Sequence, residues 1–249
     1  MSAFGADRTI TYAATQTEAG RGGIARVSRL SVRALQNANR PVVVRSLLDT
    51  ASTVIDGVPA HAAAGSRARF MASLYGAAMR EGSFVFDHAG AARAHPKFPR
   101  RPLAIWLHGI EIWGDALTPG RRAAIEAADR LFVNSAYTLA RFEADHFPLH
   151  RAQVVLLGTE DDSAPPVRTP RNGSQPPVAL CFGRLDKDNM RKGHVEVVEA
   201  WPQVVAAIPG ARLVVAGGGD GLARFRDIVA GSTARDSIEV LGFVPEADV

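Results

Sequence analysis

The sequence predicts an α/β protein of two doubly wound parallel-sheet units, the second of them incomplete. Three observations carry this. Short apolar runs alternate with segments of helical period, the signature of βαβ units. The apolar runs are continuous rather than interleaved with polar residues, as in strands buried on both faces. The alternation breaks once, at residues 161–177 (DDSAPPVRTPRNGSQPP), and then restarts. That proline-, serine- and glycine-rich stretch reads as a linker between an amino-terminal unit, residues 1–160, and a partial carboxyl-terminal unit, residues 178–249.

In chain order, residues 9–14 (TITYAA) form the first expected strand, and residues 20–23 a glycine-rich turn. Residues 24–38 place Ile24, Val27, Leu30 and Leu35 close to helical spacing. Residues 41–47 (PVVVRSL) are a second strand. A helix is expected over residues 67–80, ended near Gly82. Residues 83–86, 103–107, 131–133 and 154–157 are further strand-like runs. Beyond the linker, strands are expected at 178–182, 211–216 and 237–241, with helices at 193–207 and 222–230. Doubly wound domains usually carry about five or six strands. The second unit is therefore expected to belong to a longer protein or to a natural truncation.

The composition excludes several function classes. Of the 249 residues, 47% are hydrophobic and 22% charged, ordinary for a globular protein with a sizeable core. No run approaches the roughly 18 apolar residues of a membrane span, and residues 2–11 do not read as a signal peptide. Cys181 is the single cysteine, which excludes an internal disulfide and a multi-cysteine metal site. A cytoplasmic location is the default expectation. The net charge is +4, nearly all the positive charge being arginine; the lysines are Lys97, Lys187 and Lys192. The basic residues are scattered and form no stripe with interleaved aromatics, so no nucleic-acid partner is expected. A mild basic excess suits an anionic substrate and a peripheral contact with the anionic inner face of a membrane equally well.

The chemistry-bearing residues concentrate where the second unit begins. Phe182-Gly183-Arg184-Leu185 closes its first strand; a polar loop follows, then Arg191-Lys192-Gly193-His194 opens a helix. A guanidinium, an ammonium and a helix amino terminus with free amide donors together suit a diphosphate. Either Arg184 or Lys192 alone would read as an ordinary surface charge; the strand–Gly-Arg–loop–Lys-Gly–helix context favours binding.

This stretch, continued through RLVVAGGGDG and IEVLGFVPEADV, resembles the donor domain of glycosyltransferase family 4, retaining enzymes of the GT-B fold with two Rossmann-like domains. The resemblance implies that Arg184 and Lys192 bind the donor diphosphate, and that the backbone near Gly217, Phe243 and Val244 meets the nucleotide base. In the first half, Gly20-Arg21-Gly22-Gly23 resembles the family's first glycine-rich loop, so Gly22 and Gly23 are expected at the donor phosphates. AIWLHGIE resembles the strand that ends in the histidine beside the transferred sugar, which makes His108 the expected catalytic residue. Phe132-Val133-Asn134-Ser135 resembles the strand and turn that start the next helix. His88, Glu111 and Ser135 are candidates for acceptor or sugar contact. The implied reaction moves a hexose from a nucleoside-diphosphate sugar to a hydroxyl of a carbohydrate or lipid-linked acceptor, with retention. No cofactor and no metal are expected, since arginine and lysine supply the charge.

One departure stands out. The family carries two glutamates separated by seven residues later in the donor domain; here Glu239 and Glu246 have six between them and lie on another element. Those contacts are expected beyond Val249 or absent. The departure motivates a second reading, a non-catalytic nucleotide or sugar-phosphate binding module. A nicotinamide enzyme is disfavoured, because neither Gly20–Gly23 nor Gly217–Gly219 forms the dinucleotide fingerprint, and Asp49 lies too far along to complete it. Asp186-Lys187-Asp188 is taken as solvated polar residues, and Cys181 as core. His61, His95, His146, His150 and His194 show no common metal-ligand spacing.

Overall fold

A computed structural model describes residues 8–80, 82–159, 176–187 and 192–245. Most of the expected linker (residues 161–175), Asp188, Arg191 and Glu246 lie outside the described residues. The chain divides into two compact units, Met1–Ser163 and Ala164–Val249.

The first unit is built on strands β1 (Thr9–Ala14), β2 (Val42–Ser46), β3 (Thr53–Ile55), β4 (Val58–Ala62), β5 (Gly82–Phe86), β6 (Leu103–Leu107), β7 (Arg130–Val133) and β8 (Ala152–Val154). They form one sheet in the order β3-β4-β2-β1-β5-β6-β7-β8, parallel throughout except for the β3–β4 pair. The chain winds outward from β1 to one edge and from β5 to the other. β1 and β5 are neighbours paired from Thr9↔Gly82 to Ala13↔Phe86, so the winding reverses between them. At such a switch point, ligands bind outside the carboxyl ends of the strands.

Helices cover both faces. α1 (Gly23–Asn37) buries Ala25, Val27 and Val32 on one side, where Ile10, Tyr12, Val44 and Val85 complete a core. On the other side lie α2 (Arg67–Ala78), α3 (Ala89–Ala92), α4 (Pro119–Ala127) and α5 (Ala136–Asp145), over a core of Phe70, Leu74, Phe84, Phe86, Ile105, Leu107, Ile125 and Phe142. Local chemistry sets the helix starts. The Ser66 hydroxyl accepts the Arg69 N–H at 3.3 Å before α2. Pro119 occupies the first turn of α4, where its missing N–H costs nothing.

Two expectations for this unit need revision. The β3–β4 hairpin was not foreseen, although Asp56-Gly57 between Val54-Ile55 and Val58 is a two-residue turn; both residues take positive φ, 48° and 84°, as a type I′ turn requires. β8 spans Ala152–Val154 rather than 154–157. Its partner β7 is four residues long and pairs only as far as Val133↔Val154, which leaves Leu156 and Leu157 exposed.

The second unit has β9 (Val178–Phe182), α6 (His194–Ala207), β10 (Arg212–Ala216), α7 (Leu222–Ala230) and β11 (Ile238–Gly242). Its described strands form a parallel sheet in the order β11-β10-β9. α6 and α7 cover one face, burying Leu213, Val215, Val198, Trp201 and Phe225. On the opposite face of β9, Val178, Leu180 and Phe182 are exposed among the described residues.

Candidate functional site

At the carboxyl edge of the first sheet, the loops after β1, β2, β5, β6 and β7 are tied together by buried polar side chains. The loop after β1 is held at its root. Asp49, 1% exposed and beyond β2, accepts hydrogen bonds from the Thr17 N–H with both oxygens, and also from the Thr17 hydroxyl and the Glu18 N–H. From α1, Arg29 donates to the carbonyls of Thr17 and Glu18, both at 3.1 Å. The loop then reaches Gly20 and Gly22, at φ 74° and 99°, and opens α1 at Gly23. A side chain at Gly22 or Gly23 would meet nothing within 4 Å, and no side chain caps the first amides of α1.

Asp87 directly follows β5 and is fully buried. Its carboxylate accepts the Thr15 N–H and, at 3.2 Å, the Thr15 hydroxyl. Burial pushes its pKa up to about 7, and the hydrogen bonds from Thr15 pull against that rise. His88 caps α3: its Nδ1 accepts the N–H groups of Gly90 (2.8 Å) and Ala91 (3.2 Å), while Nε2 lies 2.9 Å from the Thr15 hydroxyl. Burial lowers the pKa of His88, Glu111 opposes that, and His108 and Arg121 reinforce it. The ring is neutral at physiological pH, and both of its nitrogens are engaged within the protein.

His108 ends β6, half-buried, its ring stacked on Trp106 with centroids 6.1 Å apart. Its Nε2 donates to the Asp87 carbonyl at 2.7 Å. The residue's own peptide is gripped from both ends. The Glu111 carboxylate accepts its N–H at 2.7 Å, and the Asn134 amide donates to its carbonyl at 3.2 Å. Glu111 Oε2 and Asn134 Oδ1 are buried without a partner among the described residues. Gly109 has φ 118°, and any side chain there would run into the Trp113 ring. The Ser135 hydroxyl caps α5, accepting the Thr138 N–H at 3.1 Å.

In the second unit the site is made chiefly of backbone and exposed charge. Leu185 donates to the Gly218 carbonyl at 2.9 Å, Gly221 donates to the Leu185 carbonyl at 2.8 Å, and the Gly217 N–H is taken by Gly242 at 2.7 Å. A Cβ on Gly217 would overlap the Gly183 carbonyl oxygen, so glycine at 217 is what lets the loops after β9 and β10 touch. Arg184 is exposed and pairs with Asp186 at 3.0 Å. The Lys192 stem runs beside Gly183, its Cδ 3.5 Å from where a Cβ would be. α6 opens there on Gly193, at φ 82°, with no side-chain cap. His194, its first residue, is buried with both ring nitrogens unpartnered and edge-on to Phe225 at 6.0 Å. Phe243 is exposed just past β11, with Val244 half-buried after it.

The structure therefore places His88, His108, Glu111 and Ser135 at the carboxyl edge of β5, β6 and β7, and Gly22 and Gly23 at that of β1. Arg184, Lys192, Gly217, Phe243 and Val244 lie at the carboxyl edge of the second sheet. Sequence reasoning missed Asp87, Thr15 and Asp49 as site-building residues; the one available signal was an acidic residue directly after an apolar strand. Among the described residues no group of three or more His, Cys, Asp or Glu could hold a metal ion, and no helix is long and apolar enough to cross a membrane.

Residues 168–249 match the family model "Glycosyl transferases group 1". No curated protein matches the chain. Among solved structures, Anabaena HepE in complex with UDP is 17% identical, with TM-score 0.61 over 97% of this chain and 70% of that one. The apo lipopolysaccharide outer core galactosyltransferase WaaB is 13% identical, with TM-score 0.64 over 96% and 69%. The pneumococcal O-GlcNAc transferase GtfA, in complex with UDP and GlcNAc, is 11% identical, with TM-score 0.59 over 98% and 77%. At these identities the likeness is one of fold, and the fold is that of the GT-B glycosyltransferases.

Proposed function

We propose that this protein is a retaining glycosyltransferase that moves a hexose from a nucleoside-diphosphate sugar to an acceptor hydroxyl, as in glycosyltransferase family 4. The observation that carries the proposal is the juxtaposition of Arg184 and the Lys192 stem at Gly183, where α6 opens without a side-chain cap. The match of residues 168–249 to a glycosyltransferase family model supports it, as does the shared fold with HepE and GtfA, both solved with UDP.

In this reading the diphosphate lies against Arg184, Lys192 and the first amides of α6, and the base against Phe243 and Val244. The bond between the anomeric carbon and the diphosphate oxygen breaks, and its electron pair stays on the phosphate. Fixed cations there lower the barrier, because that charge grows in the transition state. The acceptor oxygen bonds to the anomeric carbon on the face the phosphate leaves, and its proton passes to the departing phosphate oxygen. No protein nucleophile and no metal take part. Since Nε2 of His108 donates to a carbonyl, the neutral ring keeps its lone pair on Nδ1. That nitrogen accepts a hydrogen bond from a sugar hydroxyl and so orients the sugar. Gly22 and Gly23 bring the backbone to the phosphates; Glu111 and Ser135 shape the acceptor side, and His88 acts from behind Thr15.

Hydrogen bonds to charged groups are worth roughly 1.5–3 kcal/mol. Replacing Arg184 or Lys192 by alanine is therefore expected to weaken UDP or GDP binding about ten- to a hundredfold in calorimetric titration.

A further inference from the structure

With Asp87 ionised, the hydrogen bonds around it set where the protons sit. His88 Nδ1 accepts two amide N–H groups, at 2.8 and 3.2 Å, so it carries no proton and the ring's proton is on Nε2. Nε2 therefore donates to Thr15 Oγ1 at 2.9 Å, and Thr15 turns its own hydroxyl proton to Asp87 Oδ1 at 3.2 Å. The other carboxylate oxygen takes the Thr15 N–H. The backbone of Asp87 is fixed as well, its N–H donating to the Ala13 carbonyl at 3.1 Å. With residue 87 anchored through its carboxylate and its amide, its carbonyl points at His108 Nε2, 2.7 Å away.

We propose that Thr15 and Asp87 are positioning residues that couple the glycine-rich loop to His108. The carboxylate of Asp87 pins the first residue of the loop leading to Gly20–Gly23; the carbonyl of the same residue fixes the His108 ring with Nδ1 as the acceptor. Two segments that the proposed reaction needs in register, the loop after β1 and the histidine after β6, thus hang on one buried residue after β5. The side chain of Asp87 makes its bonds inside the protein and acts through His108 and the loop rather than on a ligand. This inference rests on the functional reading only for its catalytic consequence; the coupling itself is read without turnover.

The test is imidazole NMR on the full chain, with His88 and His108 assigned through His88→Gln and His108→Gln. In the wild type, both rings are expected to show a slowly exchanging Nε2–H between pH 6 and 8, and His88 Nδ1 to resonate as an unprotonated nitrogen. A protonated Nδ1 on His88 in the wild type overturns the proposal without any variant. Thr15→Val removes the hydroxyl and keeps the shape; it is expected to abolish slow exchange at both rings, and Thr15→Ser to restore it. Loss at His88 with His108 unchanged overturns the coupling. If the protein turns over a nucleotide sugar, Thr15→Val lowers kcat roughly ten- to a hundredfold, the scale of a small misplacement of reacting groups. Donor-diphosphate affinity falls less than kcat, by no more than about tenfold, because Arg184, Lys192 and the first amides of α6 are untouched while the loop to Gly22 and Gly23 loses one anchor; an equal fall in both overturns the positioning of His108. Absence of wild-type turnover contradicts the functional reading and leaves the NMR result to decide the coupling.

Discussion

The carboxyl edges of the two sheets are built on opposite plans. In the first unit, the polar groups at this edge are held within the protein: Asp49 by Thr17, Asp87 by Thr15, His88 by the amides of α3, the His108 ring by the Asp87 carbonyl and its peptide by Glu111 and Asn134. In the second, the loops are fastened backbone to backbone through Gly217, Gly218 and Gly221, and the charges of Arg184 and Lys192 lie at the surface. A held imidazole loses little freedom when a ligand arrives, which suits orientation of a reacting group. Long exposed cations on a rigid glycine frame suit attraction of a mobile anion, at the cost of ordering flexible side chains. The first edge is built for geometry and the second for charge.

Removing the centre of the first edge is the severest way to test this contrast. His108→Ala is expected to lower turnover of a nucleotide sugar by about a hundredfold or more, with donor-diphosphate affinity nearly unchanged. A fall in melting temperature with normal turnover per folded molecule would instead make His108 a packing residue of the 109–113 turn.

The glycines sharpen the comparison next. Gly217→Ala must displace the Gly183 backbone, and overpacking of this kind costs roughly 1–3 kcal/mol. At Gly23 an added methyl meets nothing and φ is not positive, so alanine there is expected to be neutral or to stabilise by up to about 1 kcal/mol. Denaturant unfolding of the two variants checks the order; equal losses would mean that the second unit's loops are not locked by their glycines.

A smaller effect separates the edges by pH. Asp87 is pushed to about 7 in the folded chain, above an ordinary value of 3.8. Between those values the folded state holds a proton that the unfolded state has released. Stability from this group is therefore greatest below about pH 4 and declines as pH rises towards 7. Asp87→Asn lacks the titration, so its melting temperature relative to wild type is expected to climb from pH 5 to pH 8 and then level off. A gap that does not change with pH contradicts a carboxyl pKa raised by burial.

Much of this fold is legible in the sequence where the signal is local. The apolar runs of β1, β6 and β9 and the helical period of α7 give their bounds directly, and the strand–Gly-Arg and Lys-Gly spacing places Arg184 and Lys192 at one sheet edge. Asp87 and Thr15 stayed hidden, because their contact spans 72 residues and exists only through the pairing of β1 with β5. The run at 154–157 misled, since apolarity marks a strand only where a partner strand is long enough to pair with it.

Calorimetric titration of UDP and GDP into the wild type, Arg184→Ala and Lys192→Ala tests the charged edge of the second unit most directly. The expected result is measurable wild-type binding that weakens about ten- to a hundredfold in each variant. Affinity unchanged in both variants would contradict the donor site and, with it, the proposed function.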